Sequence, residues 1–286
     1  MRSGSARTSG MAMVLAAILL AQVGQADAGW ERLFVPKADL WPRWQQHNPA
    51  DTRRIDHGPW HAFLGKYVDT KHPSAINRVN YAAVTAEDRR SLEEYLRRLA
   101  ATPISTYNRG EQLAYWINAY NALTVSVVLN QHPVSSIRNI KLPPGLFTIG
   151  PWSAKLLTIE GEKVSLNDVE HRILRPIWRD PRIHYGINCA SLGCPNLIGV
   201  AYTSENVDRL LTENAIAFIN HPRGASFNDR RLVVSSIYDW FEEDFGGSRA
   251  GVLAHLRQYA RSGLAERLKT YDGPIEDQYD WALNQP

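Results

Sequence analysis

Glu111-Gln-Leu-Ala-Tyr-Trp-Ile-Asn118-Ala-Tyr-Asn121-Ala-Leu-Thr124 opens a run that stays helix-compatible to Gln131 and stops at His132-Pro133. It is apolar almost all the way round, which marks a central, buried helix rather than a surface one. At ~100° per residue, Glu111, Ala114, Asn118 and Asn121 fall in one narrow stripe. Buried amides must be hydrogen-bonded, since an unpaired polar group costs on the order of 1–3 kcal/mol. Either they tie neighbouring loops to the core or they line a site. Amides hold backbone well and rarely do chemistry alone, which favours the first role.

Around this helix the chain predicts more helices and a few short strands. Loops with a short helix near residues 60–68 precede it. Thr85 caps a helix to Ala101, with Asp88 three residues on and Leu92, Tyr95, Leu96 and Leu99 on one face. Residues 156–159 and 163–166 flank Glu160-Gly161-Glu162 as a hairpin. Ser165 opens a helix with Asp168 at the capping-box position, ending at Arg175 before Pro176. Residues 183–188 read as a short strand, and Ser204 as the cap of a helix to Asn220. A strand at 231–235 and helices near 237–245 and 250–262 follow. The fold class is α+β: a mostly helical single domain over 29–286 with a small, short-stranded antiparallel sheet.

The helix from Ser165 carries Glu170 on the inward arc of Leu166, Val169, Ile173 and Leu174, with His171 at its edge. An inward carboxylate needs a partner or a raised pKa. Arg175 and Arg182 are available for a plain buried ion pair. The other reading is a Glu170–His171 pair that does chemistry or orients a ligand.

His184-Tyr-Gly-Ile-Asn188-Cys189-Ala-Ser-Leu-Gly-Cys194-Pro195 is the densest collection of reactive side chains. Cys189 and Cys194 are the only cysteines, and three readings compete. A disulfide needs the loop to double back, because bridged Cα atoms lie within ~7 Å. A nucleophilic Cys189 needs a nearby histidine to make it a thiolate. Zinc binding is third, because the spacing is looser than usual for a thiolate site. The histidines after Cys194, His221 and His255, lie in ordinary contexts. The candidate bases His171 and His184 precede the cysteine, and order is no obstacle to geometry.

The first residues carry Arg2 and Arg7, then an apolar run from Met11 to Val23, then Ala26-Asp27-Ala28. That is a signal-peptide layout over 1–28, too short for a membrane span. It predicts a periplasmic or secreted protein, a disulfide-permissive setting and no stable span after cleavage. Removing two arginines and one aspartate takes the formal charge from +3 to +2. Scattered basic pairs at that balance argue against nucleic acid. Nine tryptophans and twelve tyrosines leave room for a lined cleft as well as a core.

These motifs resemble the DUF547 family. The helix from Glu111 is similar to its signature helix, and Ser165-Leu-Asn-Asp-Val-Glu170-His171-Arg-Ile-Leu-Arg175 to its second motif. The third is matched by Asp180-Pro-Arg-Ile-His184-Tyr-Gly-Ile-Asn188-Cys189-Ala-Ser-Leu-Gly-Cys194-Pro195, with Tyr185-Gly186 a conservative departure. Tyr279-Asp280-Trp281 and Asn284 resemble the closing element, so the motif-bearing core spans about 60–284. The resemblance implies one α+β domain in an exported bacterial member. It gathers Glu111, Asn118, Asn121, Glu170, His171, His184 and Cys189 into the family's motif blocks.

The expected function is a thiol-dependent hydrolase or acyl transferase acting on a peptide, amide or thioester bond. Cys189 is the nucleophile, His184 or His171 the base, and Glu170 orients it. Asn118 or Asn121 donates to an oxyanion, and Glu111, Asn188 and Cys194 complete the binding set. The partner is a small-molecule or peptide substrate, with no cofactor and no metal assigned. The alternative is a non-catalytic periplasmic binding or assembly protein with a structural Cys189–Cys194 disulfide.

Overall fold

A computed structural model describes residues 35–142 and 150–286. The signal-peptide segment lies outside the described residues. Residues 36–286 form one unit, in which helices outweigh strands. In chain order the elements are α1 (Gly58–Tyr67), β1 (Val68–Asp69), β2 (Arg78–Val79), α2 (Ala86–Ala101) and α3 (Arg109–Gln131). Next come the hairpin β3 (Leu157–Ile159) and β4 (Glu162–Val164), and a π-helical segment, Asp168–Leu174, that runs into α4 (Arg175–Trp178). Then follow α5 (Ile183–Gly186), α6 (Val207–Ile219), β5 (Ala225–Asn228), β6 (Arg231–Ser235) and α7 (Ile237–Trp240). The last are α8 (Arg249–Tyr259), α9 (Ser262–Lys269) and β7 (Ile275–Gln278).

The central helix is α3, two residues longer at its start than expected. Asn108 caps it by accepting the Glu111 N–H at 3.0 Å. It stops where His132 turns extended, the conformation that Pro133 imposes on the residue before it. Tyr115, Trp116, Ile117 and Tyr120 are buried along it. In α2 the cap is reciprocal: Asp88 N–H donates to Thr85 Oγ1, and the Thr85 hydroxyl to the Asp88 carboxylate. Leu92, Tyr95, Leu96 and Leu99 are the buried face, as their spacing predicts.

At Ser165 the capping box forms with Asp168, but the helix does not end before Pro176. It widens instead. Arg175 N–H reaches back to the Glu170 carbonyl, a π-type step, and the chain continues helically to a left-handed Arg179. Pro176 has no N–H, and in an ordinary helix its ring would meet the Arg172 carbonyl; a π-turn relieves this crowding. The loosened carbonyls are satisfied from outside: Asp39 N–H donates to His171 O at 2.9 Å and Trp41 N–H to Arg172 O at 3.0 Å.

Residues 183–188, expected as a strand, instead begin with the short helix α5 and turn extended at Ile187. Among the described residues no partner strand is alongside; the Asp180 carboxylate accepts the Arg182 N–H and starts a turn, and Gly186 packs against Leu211 and Ile117. Ser204 is not the cap of α6 either. Thr203 and Asn206 bond each other ahead of it, and the Ser204 hydroxyl donates to Glu111.

The strands form small sheets. Val68 pairs with Val79 in the antiparallel β1–β2, and the β3–β4 hairpin turns at Glu160 and Gly161, both with positive φ. In the third sheet β5 and β6 are antiparallel, while β7 adds parallel to β6 with Leu232 opposite Ile275. Helix α9 and strand β7 had no clear signal in the sequence. Among the described residues no helix is long and apolar enough to cross a membrane.

Candidate functional site

The amide stripe on α3 holds backbone. Asn118 Nδ2 donates to Tyr202 O at 2.8 Å and its Oδ1 accepts the Tyr202 N–H at 3.0 Å. One turn on, Asn121 donates to Gly186 O at 2.9 Å and accepts the Asn188 N–H at 2.8 Å. Each asparagine thus satisfies both polar groups of a loop that enters the core, which is what an amide with one donor face and one acceptor face does best.

Asn188 continues the pattern inside the cysteine loop. It donates to Pro195 O at 2.7 Å and accepts the Ala190 N–H at 2.8 Å. Asn284, fully buried, donates to Asn188 Oδ1 at 3.3 Å and takes the Tyr81 hydroxyl at 2.8 Å. Asn214 clasps the loop from α6 through the carbonyls of Tyr185 and Asn196. The C-terminal segment closes it: Gly193 N–H donates to Asp280 O, and Leu192 N–H to Ala282 O, both at 2.8 Å. Ala190 sits at φ +62°, a left-handed position that bends the loop back on itself.

That bend joins the cysteines. Cys189 and Cys194 form a disulfide with Cα atoms 6.3 Å apart, and among the described residues no cysteine is free. The two halves differ. Cys194 is buried, 5 % exposed, and its sulfur accepts the Cys189 N–H at 3.0 Å. Cys189 is half-buried, and its Sγ lies 3.2 Å from the Tyr279 hydroxyl and 3.3 Å from the Ser191 hydroxyl. Those hydroxyls are 2.9 Å apart. The Tyr279 ring packs against both Trp240 and Trp281, 4.7 and 4.6 Å away.

Glu170, His171 and His184 come together in a buried charged cluster. The inner partner of Glu170 is not an arginine: Tyr120 donates its hydroxyl to Oε2 at 3.1 Å. His184 Nδ1 faces Oε1 at 3.7 Å and His171 Nε2 faces Oε2 at 4.0 Å. Arg175 pairs with Glu243 and Asp244, and Arg182 with Asp180 and Asp208. His184 Nε2 donates to Asp244 Oδ2 at 2.7 Å, and its ring stacks on Phe241 at 4.4 Å. Since Arg175 donates to His171 Nδ1 at 2.9 Å, a neutral His171 carries its proton on Nε2.

The electrostatics follow. Burial pulls His171 down to about 4, helped by the positive charge of Arg175 and opposed by Glu170, so it is neutral near pH 7. Burial alone would push Asp244 up; hydrogen bonds from His184 and Arg175 outweigh it and bring it down to about 2. Tyr120 is driven well above its usual range by burial and by the neighbouring Glu170 charge. The cluster therefore sets the Asp244 carboxylate against the Arg175 guanidinium, with His184 and Glu170 facing each other beside them.

Glu111 lies elsewhere, ten residues and about 15 Å along α3 from Asn121. It accepts the Ile55 N–H at 3.0 Å and the Ser204 hydroxyl, with Arg54 at 3.5 Å, so it binds the 54–55 segment to the loop before α6. Among the described residues no group of three or more His, Cys, Asp or Glu is arranged to hold a metal. Sequence reasoning missed Asp244, Tyr279, Ser191 and Tyr120 as site residues. Glu242-Glu-Asp244 beside Phe241 is an acidic run like any other on the surface, and Tyr279 gave no signal beyond its family motif.

An α+β, mostly helical domain with a disulfide-closed loop beside a buried histidine–carboxylate cluster is the class these features define. Residues 104–219 match the model of the family described as protein of unknown function, DUF547, so this segment is similar to that family. The match takes in α3, the π-turn and both cysteines; Asp244, Tyr279 and Asn284 lie beyond it. No curated protein and no solved structure matches the chain.

Proposed function

We propose that this protein is exported and is a thiol-dependent hydrolase or acyl transferase, with Cys189 as nucleophile and a peptide, amide or thioester bond as target. The observation that carries the reading is the setting of the Cys189 sulfur: it is the more exposed half of the pair, and two hydroxyls reach it. A staple alone accounts for this less well. Bridging residues five apart gives about 2 kcal/mol in the chain-entropy picture, in a loop that Asn121, Asn188, Asn214 and Asn284 already hold.

In this reading Cys194 stores the nucleophile, and reduction releases it. His184, oriented by Asp244 and faced by Glu170, is the base that takes the Cys189 thiol proton. The thiolate adds to the acyl carbon, the leaving group departs with a proton from His184, and water or an acceptor then takes the acyl group from sulfur. His171 keeps its place through Arg175. Asn118 and Asn121 position the loops; with their amides spent on backbone, they are not the oxyanion donors.

Reduced wild type and Cys194→Ser, incubated with a p-nitrophenyl ester or a thioester, should release product in a burst and carry an acyl group on Cys189; Cys189→Ser should not. A folded, reduced protein whose Cys189 is neither acylated nor alkylated faster than free cysteine overturns the reading. One observation favours the alternative of a non-catalytic binding or assembly protein: among the described residues neither His171 nor His184 is hydrogen-bonded to the Cys189 sulfur. Thiol inertness with a large loss of thermal stability on reduction would decide for it.

A further inference from the structure

Every sulfur lone pair that opens when the Cys189–Cys194 bridge breaks already has a donor. The Cys189 N–H points at Cys194 Sγ, 3.0 Å away. The Tyr279 and Ser191 hydroxyls lie 3.2 and 3.3 Å from Cys189 Sγ. We propose that Cys189–Cys194 is a redox-active couple that exchanges electrons with dithiols, attacked at Cys189. This rests on the preceding reading only in taking Cys189 as the reactive sulfur.

Thiol–disulfide exchange needs an accessible sulfur and a stabilised leaving thiolate. Access is one-sided, because Cys194 is buried while Cys189 is half-exposed. A thiolate of the dithiol attacks Cys189 Sγ in line with the bridge. The S–S electron pair passes to Cys194 Sγ, which leaves as a thiolate held by the Cys189 N–H, and Cys189 is now joined to the reductant. The second thiol of the reductant loses its proton to solvent and attacks its own sulfur in that mixed disulfide. The electron pair then passes to Cys189 Sγ, which accepts hydrogen bonds from Tyr279 and Ser191. The bridge has taken two electrons, and the reductant leaves as a disulfide; the reverse sequence makes the protein the oxidant.

Donors to the thiolates stabilise the reduced form and raise the potential, as they do at other low-pKa cysteines. The loop does not depend on the bridge for its shape. Its backbone groups are held by Asn121, Asn188 and Asn214 and by the 280–284 segment, so reduction leaves the fold in place. A staple needs none of these donors.

Full-length, folded protein equilibrated with reduced and oxidised dithiothreitol, then alkylated and weighed, should show a reversible midpoint with unchanged circular dichroism. Ser191→Ala and Tyr279→Phe should each shift the equilibrium toward the bridge by up to about tenfold, ~30 mV for a two-electron couple. Cys194→Ser should form a mixed disulfide with glutathione at Cys189, and Cys189→Ser should not form one at Cys194. A bridge that opens only when the chain unfolds overturns the proposal, as do a midpoint indifferent to Ser191→Ala and a mixed disulfide on Cys194. Exchange without ester or thioester turnover removes only the hydrolase reading; turnover by Cys194→Ser without exchange in wild type removes only this one.

Discussion

His184 Nε2 and Asp244 Oδ2 meet at 2.7 Å from opposite ends of a 60-residue separation. The same carboxylate oxygen takes the Nε–H of Arg175, whose side chain is 2 % exposed. One oxygen thus fixes a histidine of the third motif and an arginine of the second.

Asp244→Ala removes that shared acceptor, leaving His184 without its Nε2 partner and Arg175 with Glu243 as its remaining carboxylate partner. Unpairing a buried charge costs about 3–5 kcal/mol when no partner remains; with Glu243 still in place and Asp244 partly solvated, about 2–3 kcal/mol is expected. Urea unfolding at pH 7 measures it. A midpoint within error of wild type would show that the pairing is not maintained in solution.

Acid should destabilise the protein early. Burial brings His57, His171 and His255 each down to about 4 from an ordinary value near 6.5. The unfolded chain therefore takes up protons that the folded one refuses. Their contribution is fully present above pH ~6.5 and is lost as pH falls from there to ~4. Asp244 has the ordinary acidic sign: folded near 2, it contributes above its unfolded value near 4 and fades only below that. Unfolding free energies at pH 7, 6 and 5 should fall with up to about three protons taken up, a slope of order 4 kcal/mol per pH unit at its steepest. A flat profile over that range contradicts the buried, neutral histidines.

Asn121→Ala should cost more than its size suggests. It strands the Gly186 carbonyl and the Asn188 N–H, two buried backbone groups, at about 1–3 kcal/mol each. Asn118→Ala should behave alike, through Tyr202. Thermal melts check both, and a loss under ~1 kcal/mol would mean that water replaces the amide.

Gly193→Ala tests the clasp between the cysteine loop and the C-terminal segment. A Cβ there would sit 2.8 Å from the Asp280 amide nitrogen and 2.9 Å from the Tyr279 ring, so one strand must move. Overpacking of this kind costs about 1–3 kcal/mol. It should also draw the Tyr279 hydroxyl off Cys189 and alter the thiol's alkylation rate after reduction. An unchanged melt and rate would show that the clasp is loose.

Much of this was legible in the order of residues. The buried α3 follows from an apolar run with no polar face, and the α2 and Ser165 caps from pairs three residues apart. The inward Glu170 and the cysteine pair stand out as residues that break a local rule. Residues 183–188 misled because a short apolar run reads alike as strand or helix, and only a neighbouring strand, absent among the described residues, would have decided it.

The sequence by itself determined helices α2 and α3, the Thr85 and Ser165 caps and the hairpin, because each rests on contacts within about one turn, which leave a periodic trace. Only the tertiary structure decided which partners the odd residues take: Tyr120 for Glu170, Asp244 for His184, Tyr279 for Cys189, and backbone carbonyls for the amides. Those partners lie 50 to 90 residues apart. A hydrogen bond between distant segments imposes no spacing on either, so nothing along the chain announces it until folding brings the two ends together.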